Sequence, residues 1–167
     1  SDVCSSDLSA AEELYKVFEP VVFKRKALFL EEGHHAHSLL FLMEGYCRGF
    51  YNHPSGEEIT TNFYVAPTFV GDYYSYATHN ASYLNIQALT PCKGLVANLN
   101  DIFSLAENES SVNVLIRDFL GHLYLFNQAR TLSFIYDTPE ERYLKLLQER
   151  PKVIANVSQR YIASYLG

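Results

Sequence analysis

Two stretches of the chain bring chemistry-bearing side chains close together. The first is His34, His35 and His37 followed by Glu44. An H-x-H step with a carboxylate beyond it is a nitrogen and oxygen donor set of the kind that holds a metal ion. Seven residues separate His37 from Glu44, and His53 and His79 fall in turn-like segments, so a polar turn between strands is the competing reading. The second stretch, residues 69–88 (FVGDYYSYATHNASYLNIQA), runs from a strand through Gly71-Asp72 and a short polar helical segment to another strand. Such a loop forms a concave pocket whose backbone N–H groups face an anion and whose Asp72 accepts from a hydroxyl. Tyr73, Tyr74, Tyr76 and Tyr83 stand around it, suited to stacking on a ligand ring or lining a domain interface. Ser104 and Ser133 have no nucleophile partners, and neither a Gly-x-Ser-x-Gly nor a phosphate-binding loop is present. The expected catalytic set is therefore empty, and the protein is expected not to be an enzyme.

Positioning these groups falls to a β-rich half and a helical half. Residues 9–18 predict a short helix with a Ser cap, acidic first turns and apolar Leu14, Val17 and Phe18; Pro20 stops it. From 21 to 98, seven short β-rich runs alternate with turn residues, among them Gly33, Gly45, Pro54-Ser55-Gly56, Pro67 and Pro91. That spacing predicts a small antiparallel sandwich or barrel of jelly-roll type. A short helix is expected at 100–107. At 110–136, Val112, Ile116, Phe119, Leu123 and Phe126 recur at steps of four and three, with Leu115, Leu120, Leu125 and Leu132 on neighbouring faces. A helix apolar over most of its circumference must be covered on two sides, so one flank should pack on its own domain and the seam Ile116, Phe119, Leu123, Phe126 on a second copy.

Asp137-Thr138-Pro139 breaks that helix, with Thr138 placed to cap a second one at 140–149. Pro151 stops the second helix, and Ser158 can cap a last one at 159–166. Ile162 and Leu166 are apolar, Ala163 admits a close neighbour and Gly167 allows a left-handed turn, the pattern of the first half of a helix-turn-helix. On that reading Ser158, Gln159 and Arg160 are the DNA-facing residues, and the recognition helix lies outside these residues.

The 167 residues carry a net charge of −6, unevenly placed: 8 basic against 15 acidic up to residue 136, then 5 basic against 4 acidic. The bulk should repel nucleic acid, leaving contact with DNA to the C-terminal end. Cys4, Cys47 and Cys92 lack a CxxC spacing and read as reduced thiols of a cytoplasmic protein, and no run of apolar residues is long enough for a membrane span. Residues 1–8 read as a tail or as sequence foreign to the natural protein, 9–109 as a jelly-roll domain, 110–136 as a dimerisation helix and 137–167 as an incomplete helix-turn-helix domain.

From 18 to 167 the chain resembles the Crp/Fnr family of bacterial transcription regulators, the cyclic AMP receptor protein among them. The resemblance is carried by Gly33, Leu39-Leu40-Phe41-Leu42-Met43-Glu44-Gly45, the turn Pro54-Ser55-Gly56-Glu57, Phe69-Val70-Gly71-Asp72, the long helix, and VSQRYIASYLG at the end. The run from Asp137 to Tyr143 looks like regulators of the Bacteroidetes group. The resemblance implies a cyclic-nucleotide-binding-type jelly roll, a dimerising helix and a winged helix-turn-helix, with homodimerisation, DNA and RNA polymerase as partners and no membrane.

Where family members bind cyclic nucleotide, Gly-Glu meets the ribose and an Arg the cyclic phosphate. Gly71 matches, Asp72 replaces the Glu, and Ser82 followed by Tyr83 stands at the Arg position. Losing that cation removes a contact of roughly 1.5 to 3 kcal/mol, so cyclic AMP is not the expected ligand. No cofactor is expected; the effector is an unidentified small molecule bound by Gly71, Asp72, Tyr73, Ser82 and Tyr83, with Asn127, Gln128 and Arg130 reaching in from the long helix. The alternatives are a ligand-independent regulator of the same fold and a cupin-like metalloenzyme using His35, His37 and Glu44.

Overall fold

The structure, a computed structural model, describes residues 11–167, so the tail at 1–8 and the start of the first helix lie outside the described residues. The remaining turns of that helix, α1, occupy 11–16. Eight strands follow: β1 (Glu19–Phe23), β2 (Leu28–Leu30), β3 (Ser38–Glu44), β4 (Tyr46–Asn52), β5 (Glu58–Val65), β6 (Thr68–Val70), β7 (Leu84–Ala88) and β8 (Cys92–Asn98), with α2 (Tyr73–Thr78) between β6 and β7. The helical half is α3 (Leu99–Asn108), α4 (Ser110–Tyr136), α5 (Pro139–Glu149), α6 (Pro151–Asn156) and α7 (Gln159–Leu166).

The strands make two antiparallel sheets in the orders β1-β8-β3-β6 and β2-β7-β4-β5. In β3 the period of two is clean: Leu40 and Leu42 are fully buried between the sheets, while Met43 is exposed. Val70, Ile86 and Ala88 meet them there. The sheets do not close into the barrel the sequence allowed. Their edges are short or chemically blunt, since β6 has three residues and β1 carries Pro20, which has no N–H to offer a further strand. The strand expected before Gly71-Asp72 is β6. Gly45, at φ +103°, turns the chain from one sheet to the other; a Cβ there would stand 2.6 Å from the Pro91 carbonyl.

One face of α4 is bound to its own domain. Val112 and Ile116 pack on Leu105 and Ala106 of α3, and Phe119 meets Phe69 edge-on at 5.4 Å. Phe69 in turn packs on Phe41 at 4.9 Å, so an aromatic column ties α4 to the outer side of the first sheet. At the far end, Thr138 and Glu141 form a reciprocal capping box that starts α5. Pro151 does more than stop α5: it occupies the first turn of α6, where its missing N–H is no loss. Ser158 precedes α7 as expected, but its side chain makes no capping hydrogen bond.

Candidate ligand groove and the seat of the C-terminal helices

The loop from Gly71 to Leu84 is organised by two serines. Asp72 accepts from the backbone N–H of Ser75 at 3.2 Å, capping α2, and its other oxygen accepts from the Ser82 hydroxyl at 2.6 Å. The Ser82 oxygen also accepts from Leu84 N–H at 2.9 Å, while the Ser75 hydroxyl donates to the Asn80 carbonyl at 2.6 Å and accepts from Ala36 N–H at 3.1 Å. His79, left-handed at φ +56°, ends the helix. Both serines are buried. Asp72 thus accepts a hydroxyl from within the chain, that of Ser82.

Between this loop, the β4–β5 hairpin and α4 runs a groove of about 690 Å³. Gly71, Asp72 and Tyr73 line it, as do Asn127 and Arg130 from α4. Ser82 lies beneath Asp72, Tyr83 points to solvent, and Gln128 is on an exposed side of α4; none of the three lines the groove. Tyr51, Asn62 and Tyr64, which sequence reasoning did not single out, line it instead. They alternate with core residues along β4 and β5, a signal that cannot say which sheet face meets a helix. Burial pushes the Tyr64 phenol up to about 12. Burial, and then the Asp72 charge, also raises Tyr51, so both offer neutral O–H groups at pH 7.

Arg130 lines the groove but its guanidinium is engaged elsewhere. It donates to the Tyr165 carbonyl at 2.8 Å and lies 3.8 Å from the centroid of the Tyr165 ring. Burial lowers its pKa. It is one of several anchors that hold α5–α7 against the outer face of β5. Phe63 packs on Tyr165 at 5.1 Å within a cluster formed by Leu146, Val153, Val157 and Ile162. The Ser164 hydroxyl accepts from Thr60 N–H and donates to the Glu58 carbonyl, both at 2.9 Å, where a bulge interrupts the β4–β5 ladder. Arg48, 2 % exposed, pairs with Glu58 and is sandwiched between the Phe50 and Tyr161 rings at 4.0 and 3.9 Å. Ser158, Gln159 and Arg160 remain exposed on the N-terminal side of α7.

The histidine reading finds no support in the geometry. His37 precedes β3 and Glu44 ends it, roughly 20 Å away along an extended strand, and Glu44 pairs with Lys93 at 3.1 Å. Among the described residues no group of three or more His, Cys, Asp or Glu side chains could hold a metal ion.

The solved structures that share this architecture include transcriptional regulators. FixK2 from Bradyrhizobium japonicum superposes with a TM-score of 0.77 at 15% identity, over 90% of this chain and 78% of that one. The Thermus thermophilus catabolite activator protein gives 0.64 at 14% identity, over 95% and 80%. A cyclic nucleotide-binding domain from Methylobacillus flagellatus gives 0.65 at 17% identity, over 78% and 74%. This chain has their fold. Neither models of known families nor characterised proteins match its sequence. In the shared fold, a cyclic-nucleotide-binding-type jelly roll followed by a long helix, the groove lies where the jelly roll meets α4. Other structures with this fold are described as transcriptional regulators. Among the described residues no helix is long and apolar enough to cross a membrane.

Proposed function

We propose that the protein is a cytoplasmic transcription regulator of Crp/Fnr type. Its sensor groove is read out by α4, which passes the state of the groove to a DNA-binding unit that starts at Asp137. The observation that carries this reading is Arg130: one residue of α4 both lines the groove and holds α7 through the Tyr165 carbonyl. A ligand that draws Arg130 into the groove must release α7, and a ligand indifferent to Arg130 shifts nothing.

The effector is an uncharged molecule with hydrogen-bonding groups, not cyclic AMP. With Ser82 in the place of the family's Arg, and Arg130 committed to a carbonyl, no cation in the groove is left to meet a phosphate. The protein acts as a homodimer through α4. Since Ile116, Phe119 and Leu123 also face their own domain, the second copy reaches this seam from the side of Phe126 and of the exposed Leu125, Leu132 and Ile135. DNA is met through Ser158, Gln159, Arg160 and the helix that should follow, with RNA polymerase as a further partner.

The second reading, a ligand-independent regulator, is favoured by the Asp72–Ser82 bond, which satisfies the loop without a ligand. Native mass spectrometry separates the two. A dimer carrying a small organic mass supports the sensor, an empty dimer supports the ligand-independent regulator, and a monomer overturns the dimeric regulator. Titration with cyclic AMP should give no heat; saturable binding would overturn the effector assignment.

A further inference from the structure

Cys47 of β4 and Cys92 of β8 belong to different sheets, yet their sulfurs stand 3.8 Å apart. Both are buried, at 2% exposure, among the core residues that fill the space between the sheets. Their surroundings lead directly to the seat of α5–α7. Cys92 Sγ is 3.5 Å from the Tyr46 carbonyl, which also accepts from Leu89 N–H at 2.8 Å, and Tyr46 N–H donates to Thr90 Oγ1 at 3.0 Å. Tyr46 and Leu89 pack against the cluster that contains Phe63, Leu146 and Tyr165.

We propose that Cys47 and Cys92 are a peroxide-oxidisable dithiol, a modification site at which a two-electron oxidant closes a bridge between the two sheets and loosens the seat of α5–α7. Either S–H can donate to the other sulfur; with Cys47 donating, the pKa of Cys92 falls and that of Cys47 rises, and Cys92 is the one that ionises first, as the thiolate. That thiolate attacks one oxygen of hydrogen peroxide; the O–O bond breaks, leaving a sulfenic acid on Cys92 and, after protonation, one water. The Cys47 sulfur then attacks the Cys92 sulfur, the S–OH bond breaks, and the Cys47 proton leaves with hydroxide as a second water. Two thiols have lost two electrons and two protons, and one peroxide has become two waters. Bringing the sulfurs within covalent distance, about 2.05 Å, moves the backbone on either side of Tyr46 and Cys92, and Tyr46 and Leu89 must shift with it. A thiol reductant reverses the step.

The test uses the full chain with Cys4→Ser, so that the tail thiol cannot intervene. After hydrogen peroxide, a block of free thiols and digestion, mass spectrometry should find the Cys47 and Cys92 peptides linked, and dithiothreitol should separate them. Amide exchange in α5–α7 should then be about tenfold faster in the oxidised form. With Cys47→Ser, peroxide should give a dimedone-reactive Cys92 and leave that exchange unchanged. Finding both thiols still free, or each oxidised separately, would overturn the site. A bridge with unchanged exchange in α5–α7 would overturn its link to the helices.

Discussion

The guanidinium of Arg130 and the carbonyl of Tyr165 are 2.8 Å apart, joining the C-terminal third of the long helix to the last turn of the chain. The Tyr165 carbonyl is near the C-terminal end of α7, where helix carbonyls lack intrahelical donors and a cation is favourable. Arg130→Ala should therefore free α7 without unfolding the sandwich. The expected cost is about 2 kcal/mol, the scale of a hydrogen bond to a charged donor. Amide exchange in α7 should rise while that of β3 and β8 stays fixed, and Arg130→Lys, lacking the planar fork, should not restore protection.

Asp72 and Ser82 should behave as a coupled pair. Asp72→Ala removes a helix cap and leaves the buried Ser82 hydroxyl only the Leu84 carbonyl, 3.1 Å away, as acceptor, at about 1–2 kcal/mol. Ser82→Ala leaves Leu84 N–H unpartnered as well, at about 1–2 kcal/mol. Urea unfolding of both single variants and the double variant should give a coupling energy of at least about 0.5 kcal/mol. Strict additivity would show that the 2.6 Å bond does not organise the loop.

Charge placed on two sides of α4 should have different consequences. Leu125, 63% exposed, and Leu132 face outward, so Leu125→Glu with Leu132→Glu should convert the proposed dimer to a stable monomer in sedimentation. Phe119→Glu instead breaks the contact with Phe69 and Phe41 and should lower the stability of the protomer by about 3 kcal/mol or more. A dimer that persists in the double variant would exclude this face.

The joint between α4 and α5 should loosen in acid. Asp137, held by Lys145 at 2.6 Å and by the Ser133 hydroxyl, has its pKa lowered below 3.8. Glu141, accepting from Thr138 N–H and hydroxyl, is lowered below 4.5. Groups with a depressed folded pKa contribute stability that is fully present above the unfolded value and is lost as pH falls through the folded one. Exchange at the start of α5 should thus be independent of pH near neutrality and should accelerate below about pH 4. Asp137→Asn should remove part of that dependence. Thr138→Ala, which dismantles the capping box, should cost about 1 kcal/mol at neutral pH.

Several elements were legible because local chemistry decided them. Thr138-Pro139-Glu140-Glu141 carries the whole signal for the start of α5, and the apolar run of α4 the signal for a long helix. Asp72 was read as a hydroxyl acceptor, and it accepts from the Ser82 hydroxyl. Arg48 was not legible: its partners are Glu58 across the hairpin and Tyr161 more than a hundred residues on, and no local spacing connects them.

By itself the sequence determined which segments are strands and helices, α6 excepted, and where the chain must turn. It did so through side-chain period, proline, glycine and caps, which act over a few residues. The tertiary structure alone decided which side of α4 meets its own sandwich, that the sheets stay open, and that Arg130 turns from the groove to Tyr165. It also decided that the two thiols from different sheets meet at 3.8 Å. Those outcomes depend on packing between segments far apart in the chain, where the energy of a contact rests on both partners and neither local pattern contains the other.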